Sequence, residues 1–137
     1  MKEIKMDIEY PIITLCGSTK FKEEYIETYE SISLQGYIVL SVACFSHADN
    51  KYGKEVDIET KAMIDAMHLS KISISDAVVV INKDNYIGES TAREIEFAKR
   101  IGKPVLYLYQ YNIHTKTFNK QLDELIFFDI PKACNKK

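Results

Sequence analysis

The feature that most constrains the fold is an apolar strand that leads through a glycine-bearing turn into a helix. Residues 77–81 carry no polar side chain, which is typical of a strand buried on both faces of a parallel sheet. Ala92, Ile95 and Ala98 then recur at helical spacing, and Gly102-Lys103-Pro104 ends the helix. A strand, turn and helix in this order predict an α/β unit, which binds ligands at the carboxyl end of its strand.

The same alternation recurs along the chain. Apolar segments predict strands at 12–16, 37–42 and 105–109, and amphipathic segments predict helices at 20–35, 56–71 and 91–101. This pattern favours an α/β fold, a flavodoxin-like or Rossmann-like three-layer sandwich whose mainly parallel sheet has about five strands. Weaker patterns indicate a loop at 43–54, a polar turn at 112–116, a helix at 118–125 and a last strand at 126–128.

Length and charge exclude several classes of protein. The 137 residues are expected to form one domain, residues 1–137, with a net charge of −2. Binders of nucleic acid carry a strong basic excess, so we expect no nucleic acid partner. No apolar run reaches the roughly 18 residues that span a membrane, and we expect that the charged first residues are not a signal peptide. We therefore expect a cytoplasmic protein without a membrane partner.

The cysteines and acidic residues do not show the spacing of a metal site. Cys16, Cys44 and Cys134 are odd in number and far apart in the chain, which favours free thiols in a reducing compartment. The acidic residues at 55–59 precede a predicted helix, where negative charge is favourable without a metal. We therefore expect no metal and no cofactor.

Two glycine-bearing turns are predicted to face each other across one cleft. Right-handed crossovers place the carboxyl ends of strands 12–16 and 77–81 side by side, so Gly17-Ser18-Thr19-Lys20 lies near the segment from Gly88 to Glu94. Backbone N–H groups, two hydroxyls and an ammonium in the first turn suit an anion. The alternative for Ser18 or Thr19 is an ordinary helix cap.

Glu94 is the candidate nucleophile of this cleft. It is predicted in the first turn of its helix, where the positive helix end favours an ionised carboxylate. Such a carboxylate can attack an anomeric carbon and form a glycosyl-enzyme intermediate. The alternative is a capping box, because Thr91-Ala92-Arg93-Glu94 matches the pattern Ser/Thr-x-x-Glu.

Three further polar residues are candidates for the same cleft. His68 lies one helical turn after Asp65, and histidine can act as a general acid near neutral pH. A lone helical histidine is otherwise a surface residue or a satisfied core residue. Asn82 follows strand 77–81 and could hydrogen-bond a sugar hydroxyl or a base edge.

These residues together resemble the nucleoside 2-deoxyribosyltransferase superfamily, which includes the 2'-deoxynucleoside 5'-monophosphate N-glycosidases. The resemblance covers roughly residues 12–108. Its landmarks, in order, are Leu15-Cys16-Gly17-Ser18-Thr19-Lys20, Ser75-Asp76-Ala77-Val78-Val79-Val80, Gly88 through Glu94 with Ala98, and Gly102-Lys103-Pro104.

The resemblance implies cleavage or transfer at the N-glycosidic bond of a nucleoside or nucleoside 5'-monophosphate. Glu94 falls on the family's nucleophile, and Ser18 and Lys20 fall on residues that bind a 5'-phosphate, with lysine where arginine is usual. Ser90 is the candidate for a further phosphate-binding serine. His68 stands where the family often carries an aspartate general acid, so His68 takes that role, the base departs differently, or activity is lost.

The resulting hypothesis is an enzyme with a small-molecule partner, a nucleoside or nucleotide, and no cofactor. Glu94, His68 and Asp65 are the predicted catalytic residues. The residues predicted to bind substrate are Gly17, Ser18, Thr19, Lys20, Asn82, Gly88 and Ser90. The resemblance also implies a homodimer or larger homo-oligomer. The alternative is a non-catalytic nucleotide-binding module of the same fold.

Overall fold

A computed structural model describes residues 8–42, 57–120 and 134–135. The predicted loop at 43–54 and the predicted strand at 126–128 lie outside these residues. In chain order the elements are β1 (Ile8–Glu9), β2 (Ile12–Gly17), a 3-10 turn (Thr19–Phe21), α1 (Lys22–Leu34), β3 (Ile38–Leu40), α2 (Ile58–Ile74), β4 (Ala77–Ile81), a 3-10 turn (Lys83–Asn85), α3 (Glu89–Arg100), β5 (Val105–Tyr107), β6 (Tyr109–Asn112), β7 (Thr117–Lys120) and β8 (Cys134–Asn135).

Four parallel strands form the central sheet, in the order β3-β2-β4-β5. Side chains alternate between its two faces, as strand geometry requires. Ile13 and Leu15 of β2 join a core with Tyr25 of α1 on one face. On the other face, Cys16 of β2 packs in a core that includes Ile72 of α2 and Ile95 of α3. The predicted three-layer α/β fold with a parallel sheet is confirmed.

The pairing of β2 with β4 brings the two predicted turns together. The strands lie in parallel register, with Cys16 opposite Val80 and Gly17 opposite Ile81. Both strands therefore end at the same edge of the sheet, and the segments that follow them are neighbours. This is the juxtaposition that right-handed crossovers predict.

Gly17 is a conformational requirement of this junction. Its φ of +152° lies in a region that residues with side chains rarely adopt, and an added Cβ would approach the Ile81 carbonyl oxygen to 2.9 Å. The Gly17 carbonyl accepts a hydrogen bond of 2.7 Å from the Tyr25 hydroxyl, which ties the turn to α1.

The C-terminal part of the described chain differs from the prediction. Residues 117–120 form a strand, β7, that pairs with β6 in an antiparallel hairpin, so the helix predicted from residue 118 is wrong over its described part. The turn at 112–116 is present. Asn112 Oδ1 accepts hydrogen bonds from the backbone N–H groups of His114 and Thr115, and Lys116 has a φ of +58°. These hydrogen bonds stabilise a tight turn that reverses the chain, so the residues that follow lie beside β6 and pair with it.

No helix in the part of the chain that the structure describes has the length and apolar character needed to cross a membrane.

Replacing Gly17 by alanine should destabilise the fold more than the same change at Gly102. Both positions have positive φ, but an added Cβ at Gly102 would meet nothing within 4 Å, so that variant isolates the backbone cost. Backbone strain of this kind costs about 1–3 kcal/mol, and Gly17→Ala adds the clash with Ile81. Urea unfolding of both variants measures the difference. Equal losses of unfolding free energy would contradict the close approach.

Candidate active site

A cavity of about 380 Å³ lies beyond the carboxyl end of β2, beside the loop that joins β4 to α3. Its lining combines the β2 turn, one face of α2 and the start of α3. The lining residues are Gly17, Ser18, Thr19, Val42, Lys61, Ile64, Asp65, His68, Lys71, Tyr86, Gly88, Glu89, Ser90, Thr91 and Glu94. Every predicted site residue except Lys20 and Asn82 lies on this wall.

Glu94 lies in the second turn of α3, and not in the first turn as predicted. Gly88 is the N-cap of the helix, and the Gly88 carbonyl accepts the first helical hydrogen bond from the Ala92 N–H group at 2.9 Å. Thr91 is consequently the third residue of the helix, so the capping box that it could form with Glu94 does not exist. The Glu94 carboxylate is thereby left to face the cavity.

Glu94 lies in a cluster of three ionisable side chains under the cavity. His68 Nε2 is 3.9 Å from Glu94 Oε1 and 3.4 Å from Cys16 Sγ. The Cys16 residue is fully buried, the His68 side chain is 6% exposed and the Glu94 side chain is 16% exposed. A thiol, an imidazole and a carboxyl group thus meet at a largely buried position, with Glu94 the most accessible of the three.

Burial raises the pKa of Glu94 to about 7, since a carboxylate loses its hydration there. The nearby charge of Asp65 acts in the same direction. A hydrogen bond from Cys16 and the charges of Arg93 and Lys61 act in the opposite direction. The sequence predicts an ionised carboxylate at a helix start, whereas the structure gives a group that is about half protonated at neutral pH.

Burial also keeps the other two members of the cluster neutral. It lowers the pKa of His68 to about 4, and the positive charge of Lys71 adds to this effect. It raises the pKa of the Cys16 thiol well above its usual range, and the charge of Glu94 adds to that shift. His68 is therefore a neutral imidazole at pH 7, able to give or accept a hydrogen bond but not to act as an imidazolium acid.

One face of α2 lines the cavity with charged, polar and apolar side chains. Lys61, Ile64, Asp65, His68 and Lys71 follow helical spacing, so they project from one side of the helix. Lys61 Nζ lies 3.0 Å from the Asp65 carboxylate, and Lys71 Nζ donates to a backbone carbonyl at residue 41 at 2.8 Å. Sequence reasoning missed the two lysines and Ile64, although their spacing from Asp65 and His68 could have identified them.

The β2 turn contributes hydroxyls but not the lysine that was expected. Ser18 Oγ accepts the Lys20 backbone N–H group at 3.3 Å, so Ser18 does act as a cap. Lys20 Nζ lies 3.3 Å from the centre of the Tyr86 ring, a cation–π contact, and Lys20 is absent from the cavity wall. Tyr86, which the sequence did not single out, lines the cavity in its place.

Asn82 has a structural role that differs from the predicted one. Its side-chain amide donates to the Tyr109 carbonyl at 3.0 Å and accepts the Tyr109 N–H group at 2.8 Å. The residue is 3% exposed and does not line the cavity. Asn82 therefore joins the end of β4 to β6 and does not contact a ligand in the cavity.

The start of α3 presents polar groups to the cavity. No side chain caps the N-terminus at Gly88 within the described structure. Ser90 and Thr91 line the cavity, and Ser90 Oγ accepts a hydrogen bond of 3.2 Å from Arg93 Nη2. Hydroxyls on both turns and open backbone N–H groups suit the hydroxyl or anionic groups of a ligand.

Among the residues that the structure describes, Cys16, His68 and Glu94 form a group that could hold a metal ion. Their ligand atoms all lie within 4.8 Å of one another. They come from three separate elements, so no spacing motif in the sequence reveals them.

The comparisons with known proteins support the fold. No protein-family model and no curated protein matches the sequence. The structure is similar to a solved 2-deoxyribosyltransferase from the psychrotolerant bacterium Bacillus psychrosaccharolyticus, with a TM-score of 0.56 and 17% sequence identity, over 80% of this chain and 98% of that chain. The chain therefore has the α/β fold of that 2-deoxyribosyltransferase.

Replacing Asn82 by alanine should weaken the fold near β6. The Tyr109 N–H and carbonyl groups would lose their partners, and an unsatisfied buried polar group costs about 1–3 kcal/mol. Urea unfolding measures the loss, and amide hydrogen exchange at Tyr109 should become faster than in the unaltered protein. An Asn82→Ala variant with unchanged stability and exchange would contradict the structural role.

Glu94 and His68 should drive stability in opposite directions between about pH 4.5 and 6.5. The folded protein holds a proton on Glu94 that the unfolded chain has lost, so this group's contribution falls as pH rises. The unfolded chain instead holds a proton on His68 that the folded protein lacks, so that contribution rises with pH. Relative to the unaltered protein, the stability of Glu94→Gln should increase across this range and that of His68→Gln should decrease.

The measurement is urea unfolding at several pH values, with a chelator present so that trace metal does not compete for the cluster. Parallel pH curves for the two variants and the unaltered protein would contradict the assigned pKa directions.

Proposed function

We propose that this protein cleaves or transfers at the N-glycosidic bond of a nucleoside or nucleoside 5'-monophosphate, with Glu94 as the nucleophile. The observation that carries the proposal is the position of the Glu94 carboxyl group, on the wall of a cavity at the carboxyl end of a deoxyribosyltransferase-like sheet. Ligands bind at this end of α/β sheets, and carboxylates form glycosyl-enzyme intermediates in retaining enzymes.

In the proposed reaction, an ionised Glu94 oxygen attacks C1' of the sugar. The bond from C1' to the base nitrogen breaks, its electron pair leaves with the base, and the base takes up a proton from solvent. The resulting ester between Glu94 and the sugar is opened by water in a hydrolase, or by the nitrogen of a second base in a transferase. Either acceptor restores the free carboxylate and releases one proton to solvent.

The buried setting of Glu94 suits a positively charged transition state. An oxocarbenium-like sugar carries positive charge, and a carboxylate in a low-dielectric pocket stabilises it more strongly than one in water. The Cys16 hydrogen bond favours the ionised form of Glu94 and opposes the effect of burial. A pKa near 7 leaves about half of the protein with an ionised nucleophile at neutral pH.

Departure of the base depends on groups other than an imidazolium. His68 Nε2 faces Cys16 and Glu94, so we assign the neutral ring a positioning role beside the nucleophile. Asp65 lines the same cavity one helical turn away, where Lys61 holds its carboxylate. We therefore propose that Asp65 contacts and orients the base, which takes its proton from solvent as it departs.

Hydroxyl groups replace the expected lysine in the proposed substrate contacts. Lys20 lies on the Tyr86 ring, so we propose that the Ser18, Thr19 and Ser90 hydroxyls and the N-terminus of α3 contact a sugar or a 5'-phosphate. The alternative function, a nucleotide-binding module without turnover, is favoured by one observation, the neutral imidazole at position 68 where an acid would be expected.

A panel of nucleosides and their 5'-monophosphates, with and without an added free base, should show release or exchange of base by chromatography. Glu94→Gln should lower the rate by roughly 10⁴-fold or more, because it removes the nucleophile. The matched control is Glu30→Gln. Glu30 is an exposed residue of α1, which covers the other face of the sheet. In the unaltered protein the rate should rise with pH through about 7, as Glu94 ionises.

Exchange only with an added base would identify a transferase, and release without one a hydrolase. Substrate binding with no release in either condition would contradict catalysis and identify the binding module. Equal activity in Glu94→Gln and the unaltered protein would contradict the assigned nucleophile.

A further inference from the structure

The three side chains under the cavity have the arrangement of a metal-binding site. Cys16 Sγ and His68 Nε2 lie 3.4 Å apart, His68 Nε2 and Glu94 Oε1 lie 3.9 Å apart, and all three ligand atoms lie within 4.8 Å of one another. In a tetrahedral zinc site, bonds of about 2.0–2.3 Å place the ligand atoms about 3.3–3.6 Å apart. The separation of Cys16 Sγ and His68 Nε2 already has this value, and Glu94 Oε1, 3.9 Å from His68 Nε2, would move closer on coordination.

The elements that carry the three ligands are held in place by packing. Cys16 lies opposite Val80 on one of the two central strands of the sheet, and His68 and Glu94 lie on helices of 17 and 12 residues. These helices pack over the face of the sheet that carries Cys16, in one buried core. Ligands on rigid elements lose little conformational freedom when a metal binds, which favours affinity.

The position of the cluster leaves one coordination site open. His68 and Glu94 line the cavity, while Cys16 lies behind them and is fully buried. A tetrahedral ion with these three ligands would direct its fourth position into the cavity, as in sites where water or substrate completes the coordination. The donor set of a thiolate, an imidazole and a carboxylate matches Zn²⁺ better than the oxygen-binding ions Mg²⁺ and Ca²⁺.

We propose that Cys16, His68 and Glu94 bind a divalent transition-metal ion of the zinc type, with the fourth ligand supplied from the cavity. The metal and protons compete for the same lone pairs. Binding displaces the thiol proton of Cys16 and, where present, the carboxyl proton of Glu94 into solvent. The bound ion replaces this positive charge, so the pocket stays close to neutral.

Metal binding has one consequence for the site that rests on the proposed function. A Glu94 oxygen that donates its lone pair to a metal ion is no longer a free nucleophile for C1'. Zinc should therefore inhibit base release, and a chelator should restore it.

The test is a titration of the reduced, chelator-treated full chain with Co²⁺, followed by absorbance. Tetrahedral Co²⁺ with a thiolate ligand should give a sulfur-to-metal charge-transfer band and visible ligand-field bands that saturate at one equivalent. Cys16→Ala should lose the charge-transfer band, whereas a variant with Cys44→Ser and Cys134→Ser should keep it. A band that survives Cys16→Ala, or that is absent from the folded unaltered protein, would overturn the proposal.

The other two ligands are tested by affinity. His68→Ala and Glu94→Gln should each weaken Co²⁺ binding by more than the 10–100-fold that is typical for the loss of an outer partner of a metal ligand. Circular dichroism establishes that each variant is folded, and Cys16→Ser provides a second variant if Cys16→Ala is not. Unchanged affinity in the folded His68→Ala and Glu94→Gln variants would overturn the assigned ligands.

Inhibition gives a second readout that separates the two proposals. Each rate of base release with Zn²⁺ is expressed relative to the same variant's metal-free rate. The Zn²⁺ concentration that halves the rate should be at least tenfold lower for the unaltered protein than for Cys16→Ala. Equal inhibition would overturn the link to Glu94. A protein that binds Co²⁺ through Cys16 but never releases base would support the metal site and contradict the proposed function.

Discussion

The parallel pairing of β2 with β4 determines where every part of the candidate site lies. The register sets Cys16 opposite Val80 and directs both side chains to the face that α2 and α3 cover. A shift of one residue would turn Cys16 to the α1 face, because side chains alternate along a strand. The same register ends both strands at one edge, where the turn at Gly17 meets the loop before α3. Cavity and cluster are thus consequences of one strand pairing.

Burial gives the cluster an unusual electrical state. Desolvation favours the neutral form of each group, so a thiol, a neutral imidazole and a half-protonated carboxyl group share the pocket at pH 7. Burying such a mostly neutral cluster costs less desolvation free energy than burying an ion pair. A positive charge that enters the cavity favours the ionised forms of the carboxyl group and the thiol, and so increases the negative charge of the cluster. The oxocarbenium-like sugar of the proposed transition state and the proposed divalent metal ion both bring such a positive charge.

The sequence predicts the fold well because the apolar runs are short, buried on both faces and separated by strong turn residues. It fails where the outcome depends on contacts that the local pattern does not show. Thr117–Lys120 has no strong period of its own and becomes a strand through pairing with β6.

The site residues divide in the same way. The Lys20 ammonium group lies on the Tyr86 ring, and the Asn82 side chain forms hydrogen bonds with the Tyr109 backbone. The sequence pattern shows neither contact. The α2 face is visible from spacing alone, whereas the proximity of Cys16 to His68 and Glu94 requires the folded sheet.

Cys16 links the two proposed uses of Glu94. In the metal-free protein, its hydrogen bond favours the ionised carboxylate and so supports the nucleophile. In a metal complex, the thiolate would draw the same carboxylate into coordination and remove it from chemistry. Because the thiol is fully buried and the carboxyl group lies at the cavity wall, the proposed substrate would reach Glu94 without contacting Cys16. Cys16 therefore acts on the Glu94 carboxyl group from the buried side of the cluster, against the larger effect of burial.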